Sequence, residues 1–265
     1  MKFITAFFMA WGNFITLPCP SNKWDGKLKN LMLAMLPSVG VVVGALFFAL
    51  MFACNKIGLP DMVVTLIAEF YMFYIHGFMH LDGFMDCTDA IMSRRSLEER
   101  QRIMKDPTVG SFAVVMVAFL LIGWFACFYT VVSGAPMLIY SVILIPVLSR
   151  TGAGNQVLTY KPIGHSQYVE DYQKEGWLKL RIVSFIQLAL YTSALYFGMY
   201  YLVGGLSGDY FTKMCLIHLA TAAATDLAGR HARKQLGGMS GDIAGYSIIW
   251  GEFAGVLAAA ICTAF

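Results

Sequence analysis

Apolar runs of about twenty residues recur along this chain, and no other local feature constrains its fold as strongly. A bilayer core is crossed by roughly 20 apolar residues in a helix, which satisfies its own backbone hydrogen bonds where no water can. Candidate runs lie near residues 31–53, 62–80, 111–132, 137–150, 182–204, 212–230 and 243–264, the fourth being short and broken by Pro146. Charged residues make up only 13% of the chain, against roughly 25% in a soluble domain, and apolar residues make up 58%. A water-soluble globule, a disordered chain and a disulfide miniprotein are thereby excluded. Six cysteines lie far apart with no C-x-x-C, so neither a disulfide framework nor a zinc centre is expected. The apolar start of the chain lacks a small-x-small cleavage site and reads as an interfacial or half-inserted helix over residues 3–17. The expected architecture is all-α: a single integral membrane domain over residues 1–265, polytopic, with about seven transmembrane helices after that N-terminal helix.

Charge tests the spans independently. If the first segment is cytoplasmic and the spans alternate, all of the 19 Lys and Arg residues except Lys56 and Lys213 fall on one side. Lys and Arg in short loops set orientation, so that side is expected to be the cytoplasm, with the protein multi-pass in the cell (inner) membrane. The long segments 80–110, 150–181 and 230–242 share that side, and the short loops at 54–61, 133–136 and 205–211 leave no room for a substrate site.

The first of those long segments carries the chemistry. In His80-Leu81-Asp82-Gly83-Phe84-Met85-Asp86-Cys87-Thr88-Asp89, a helical turn of about 100° per residue puts Asp82, Asp86 and Asp89 in a sector of roughly 60°. Like charges at this spacing are unfavourable, and ionisable groups at a membrane boundary are functional candidates. A divalent cation would remove the conflict, and hard oxygen ligands favour Mg²⁺, Mn²⁺ or Ca²⁺. The competing reading, carboxylates that only solvate a helix end, does not require one stripe. His80 points away from the stripe and reads as a structural or substrate-contacting residue.

Further on, Ser96-Leu97-Glu98-Glu99 has the form of a capping box. Asp106-Pro107 reads either as the start of the third span or as a contact of the acidic site. The loop Leu236-Gly237-Gly238-Met239-Ser240-Gly241-Asp242 is open to two readings. The backbone at Gly237, Gly238 and Gly241 could cradle an anion, or Asp242 could cap a tight turn. Asp226 is spaced to pair with Arg230, and Glu69 and Glu252 are lone acids expected to face the bundle interior.

These residues resemble the cobalamin synthase family, the adenosylcobinamide-GDP ribazoletransferases. His80-Leu81-Asp82-Gly83 with Asp86 and Asp89 matches H-L-D-G-x-x-D-x-x-D. Ile103-Met104-Lys105-Asp106 with Gly110 is similar to I-M-K-D-x-x-x-G. Leu236-Gly237-Gly238 through Gly241-Asp242 and Gly245 is similar to L-G-G-x-T-G-D-x-x-G, with Glu252 at an acidic position ten residues on. Ser240 replaces the family's threonine, and Phe14-Ile15-Thr16-Leu17-Pro18-Cys19-Pro20 lacks the arginine of F-x-T-R-L-P-x-P, so that arginine's contacts have no counterpart here. The resemblance implies attack of an α-ribazole (or α-ribazole 5′-phosphate) hydroxyl on the cobinamide phosphorus of adenosylcobinamide-GDP, releasing GMP. Asp82, Asp86 and Asp89 would then hold Mg²⁺, helped by Asp106 or Asp242, with one carboxylate, such as Asp89, free to take the hydroxyl proton. Arg94, Arg95, Lys105, Arg150 and Lys234 are candidate phosphate or nucleotide contacts. The bulky corrinoid would occupy a wide cytoplasm-facing cavity lined by Met and Phe. The alternatives are a CDP-alcohol-type phosphotransferase, whose aspartate motif looks like a permutation of this one, and a cation-coupled transporter, whose sites favour the midplane between repeats. Nothing points to a nucleic-acid partner, and a homo-oligomer is compatible with the chain.

Cysteines introduced into residues 80–110, 150–181 and 230–242 should resist an impermeant thiol reagent added outside intact cells, while cysteines at positions 56 and 213 react. Labelling of the first loop from outside would reverse the orientation.

Overall fold

The structure is a computed structural model that describes residues 1–164, 166, 168–169, 176–202 and 207–265. Lys174, one of the cations assigned to the inner side, lies outside them. Eleven α-helices follow one another among the described residues: α1 (Lys2–Phe14), α2 (Lys29–Ala34), α3 (Leu36–Ile57), α4 (Asp61–Tyr74), α5 (Met79–Met92), α6 (Leu97–Ile103), α7 (Ser111–Gly134), α8 (Ile145–Thr159), α9 (Trp177–Leu202), α10 (Gly208–Leu236) and α11 (Gly241–Thr263). No strand occurs among them; a lone parallel bridge joins Pro162 to Met239.

Five of the described helices are long and apolar enough to cross a membrane: α3, α7, the continuous stretch Pro136–Thr159, α9 and α11. That number becomes six if α4 and α5 are one broken span, so the expected seven is not reached. Two physical causes account for the difference. The run at 62–80 does not continue straight, because Gly77 and Phe78 take left-handed backbone (φ 57° and 60°) and α5 leaves α4 at 78°. The run at 212–230 lies on α10, which is long enough but includes Lys213, His218, Thr221, Thr225 and Asp226. The fourth stretch is longer than its sequence suggested. A 3₁₀ turn over Pro136–Leu144 runs straight into α8, and Pro146 falls in the first turn of α8, where its missing N–H costs nothing.

α11 is the central helix, packed by α10, α5, α8 and α7. Around it Phe47, Phe73, Trp124 and Phe128 form one apolar cluster, while Phe119, Ile122, Phe197 and Leu219 face outward. α8 is almost wholly buried, and its apolar setting contains one ion pair. Arg150 Nη1 donates to Glu252 Oε1 at 2.6 Å, with the two side chains 1% and 2% exposed. Ser149 Oγ donates to the same carboxylate oxygen at 2.9 Å, and Arg150 Nη1 also reaches the Pro146 carbonyl at 3.1 Å. Arg150 Nη2 bonds His76 Nε2. His76 Nδ1 lies 2.7 Å from the Phe14 carbonyl oxygen, which can only accept. Its proton is therefore on Nδ1, and Nε2 is the acceptor for arginine.

Removing one member of such a pair strands a charge in apolar surroundings. Arg150→Ala should lower stability in detergent by about 3–5 kcal/mol, whereas Arg150→Met combined with Glu252→Met should recover most of the loss; thermal unfolding of purified protein measures both.

Candidate active site

The sharp turn after α4 decides where the acidic stripe sits. Phe78 accepts a backbone conformation that is costly for a residue with a Cβ, and the result swings α5 across the start of α11. The crossing is backbone on backbone. A Cβ added to Gly83 would lie 2.7 Å from the carbonyl oxygen of Asp242 and 2.8 Å from its Cα, and one added to Gly245 would lie 3.2 Å from the backbone of His80. Glycines in two distant motifs thus serve one packing purpose: they bring Asp82 and Asp86 beside Asp242. Asp82 is exposed and Asp86 half-buried. The charges acting on Asp86 are all of its own sign, from Asp82, Asp242 and Asp89.

Asp89 plays a different part from its neighbours. Its Oδ2 accepts the Gly110 N–H at 2.7 Å and its Oδ1 the Ala113 N–H at 2.9 Å, so it caps α7 from another helix. A side chain on Gly110 would collide with that carboxylate, which explains the glycine of the second motif. Asp106 neither caps α7 nor joins the stripe. It accepts from the Thr108 N–H at 2.9 Å and from its hydroxyl, and these bonds hold its carboxyl below the usual range. Ser96 caps α6 by accepting from the Glu99 N–H at 3.3 Å, as the capping-box pattern predicts.

The glycine loop is built for packing at its first half. Gly237 closes α10 in left-handed backbone (φ 81°), and Gly238 is pressed against the Ile163 backbone, where a Cβ would meet the amide nitrogen at 2.8 Å. Paired bonds from Ile163 N–H to Met239 and from Met239 N–H to Lys161 fix the loop there, both at 2.9 Å. The cap of α11 is Ser240, which accepts from the Ile243 N–H at 3.3 Å. Asp242 stands in the first turn without the capping bond, so its carboxylate is left to the site.

Two recesses flank α5. The first, of about 280 Å³, is lined by the polar His80, Asp82, Arg150 and Asp242 and by the apolar Phe14, Leu33, Leu36 and Val157, with Tyr168 and Gly241. The His80 ring packs against His76 with centroids 4.7 Å apart and planes tilted by 37°. The second, of about 360 Å³, is lined by Asp86, Asp89, Arg95 and Asp106, with Arg95 paired to Glu99 at 2.8 Å. Arg94, Lys105 and Lys234 are exposed and line neither, and Gly237 borders a separate recess with Lys161. The sequence analysis missed the apolar wall and His76. No local pattern marks either, because the wall is assembled from α1, α2, α3 and α8 and His76 comes from the turn after α4.

Among the described residues no three His, Cys, Asp or Glu side chains converge closely enough to enclose a metal unaided. Mg²⁺ asks for less: one or two carboxylates, with substrate phosphates and water completing its shell. Asp82, Asp86 and Asp242 supply hard oxygen donors and an uncompensated negative field, which fit that demand. Asp89 fits it poorly, since both its oxygens already hold backbone N–H groups.

A carboxylate-lined cavity set at one end of an apolar helical bundle defines a polytopic membrane enzyme with an acidic site. The comparisons narrow this: residues 6–260 match the family described as Cobalamin-5-phosphate synthase, and the chain belongs to that family. A relative from Clostridium perfringens (strain SM101 / Type A), named Adenosylcobinamide-GDP ribazoletransferase, is 31% identical over 96% of this chain and 97% of its own length. Relatives of the same name from Clostridium botulinum (strain Alaska E43 / Type E3) and Geobacillus kaustophilus (strain HTA426) are 30% and 28% identical, over 96% and 90% of this chain and 96% and 88% of theirs. No solved structure matches.

Capping and site roles separate by stability. Asp89→Ala should cost about 1–2 kcal/mol through the freed α7 N–H groups, and Ser240→Ala about 1 kcal/mol. Asp242→Asn should leave the melting temperature in detergent unchanged, because Ser240 keeps the cap.

Proposed function

We propose that this protein is a transferase that condenses adenosylcobinamide-GDP with α-ribazole, or its 5′-phosphate, to give adenosylcobalamin, or its 5′-phosphate, and GMP. Family membership supports the reaction, and the crossing of α5 over α11, which sets Asp82 and Asp242 on one recess with Asp86 on the next, supports the site. The ribazole hydroxyl oxygen forms a bond to the cobinamide-linked phosphorus, the bond from that phosphorus to the bridging oxygen breaks, and GMP departs with the electron pair. The hydroxyl proton passes to a carboxylate. Asp89, tied into the α7 cap by both oxygens, suits that role poorly.

Mg²⁺ held by Asp82, Asp86 and Asp242 would supply charge neutralisation on the diphosphate and the departing GMP. Arg95, on the second recess, is the cation best placed for phosphate contact, ahead of Arg94, Lys105 and Lys234, while Arg150 is committed to Glu252 and His76. Asp106 remains a candidate on the second recess. The same reading takes α4 and α10 as further crossings, which gives seven, lays α1 at the membrane interface and turns the carboxylates toward the cytoplasm. The grouping of cations at that end supports this orientation.

Purified protein in detergent or nanodiscs, given both substrates, should release GMP and form the phosphodiester. Asp82→Ala, Asp86→Ala and Asp242→Asn should each reduce turnover by about 100-fold or more, and chelation should silence the wild type until Mg²⁺ is restored. Wild-type turnover in any of the three variants removes that carboxylate from the site.

A further inference from the structure

The recess of about 280 Å³ is small and two-sided. Phe14, Leu33, Leu36 and Val157 give it an apolar wall, and Asp82 and Asp242 form its polar edge. Its buried cation, Arg150, is already held against Glu252 and His76. Among the described residues a diphosphate therefore finds no uncommitted positive charge on this wall, while a neutral aromatic ring finds apolar surface. Size argues the same way. Ligand pockets for drug-sized molecules run from roughly 300 Å³ upward, and a corrin ring with its amide side chains is far larger than the recess. Among the described residues, the wide cavity expected for the corrinoid does not occur beside the carboxylates. A larger recess of about 570 Å³ is lined by Asn55, Asp61 and Tyr140, at the opposite end of α3 from Leu36.

We propose that this recess seats the acceptor nucleoside: its flat heteroaromatic base lies against Phe14, Leu33, Leu36 and Val157, and its ribose hydroxyl sits at Asp82 and Asp242. The inference rests on the ribazoletransferase reading and adds which substrate enters the cavity. The donor stays outside it, presenting only its diphosphate to the carboxylate edge. The apolar wall is then the element that selects the base, because its residues set the space the ring can occupy. One methylene in such a pocket changes discrimination by about tenfold or more.

The test is steady-state kinetics with each substrate varied in turn. Val157→Phe, which fills the recess, should raise KM for α-ribazole about tenfold and leave KM for adenosylcobinamide-GDP unchanged. Leu36→Ala, which enlarges it, should shift kcat/KM about tenfold toward a ribazole carrying naphthimidazole in place of dimethylbenzimidazole. If Val157→Phe does not accumulate, the selectivity ratio of Leu36→Ala decides alone. A rise in the donor KM with an unmoved acceptor KM, or wild-type base selectivity in Leu36→Ala, overturns the assignment while leaving the activity intact. Wild-type protein that forms no product from the two substrates overturns the activity and the assignment together.

Discussion

The ion pair of Arg150 and Glu252 is the contact on which the helix arrangement depends. Each ion would cost several kcal/mol to bury alone, and each is almost fully removed from solvent. The surroundings repay that cost only in one arrangement. α8 must present Arg150 and Ser149, α11 must present Glu252, and the turn after α4 must present His76 with its outer nitrogen held by Phe14. Any slip of one helix against the others leaves a charge in an apolar interior. The apolar residues around it would tolerate several packings, since Leu, Phe and Met interchange with modest loss; the charges do not.

From that anchor the N-terminal arm becomes part of the site. Thr16 N–H bonds the Ile75 carbonyl at 2.9 Å beside the Phe14–His76 contact, so the segment leaving α1 is tied to the bend that aims α5. Phe14 then faces the small recess. A residue far from the acidic motif in sequence thus shapes the space next to it, through two hydrogen bonds to a turn.

The sequence revealed most where the signal is local. Apolar runs located the long helices, the 3.6-residue period put Asp82 and Asp86 on one stripe, and the spacing of Ser96 and Glu99 marked a cap. It misled where tertiary contacts reassign a residue. Asp89 belongs to the stripe by periodicity, yet its oxygens serve α7. Asp106, open to a cap or a site contact, bonds within its own turn, and Gly238, in a loop open to an anion cradle or a tight turn, fits against Ile163. The 78° bend was hidden too, because an apolar run predicts length and not direction. Arg150, taken for a loop cation at the end of a span, is the most deeply buried charge among the described residues.

The contact of Gly83 with the Asp242 backbone has one more consequence. Helices separated by side chains can slide, because side chains change rotamer as they pass. Here main chain lies against main chain where Gly83 meets Asp242 and Gly245 meets His80, while Phe84 packs on Tyr246 and Trp250 alongside. That close approach limits how far α5 can slide on α11, and so restrains the spacing of the acids the two helices carry. A side chain at position 83 or 245 would push the two helices apart and draw Asp82 and Asp86 away from Asp242.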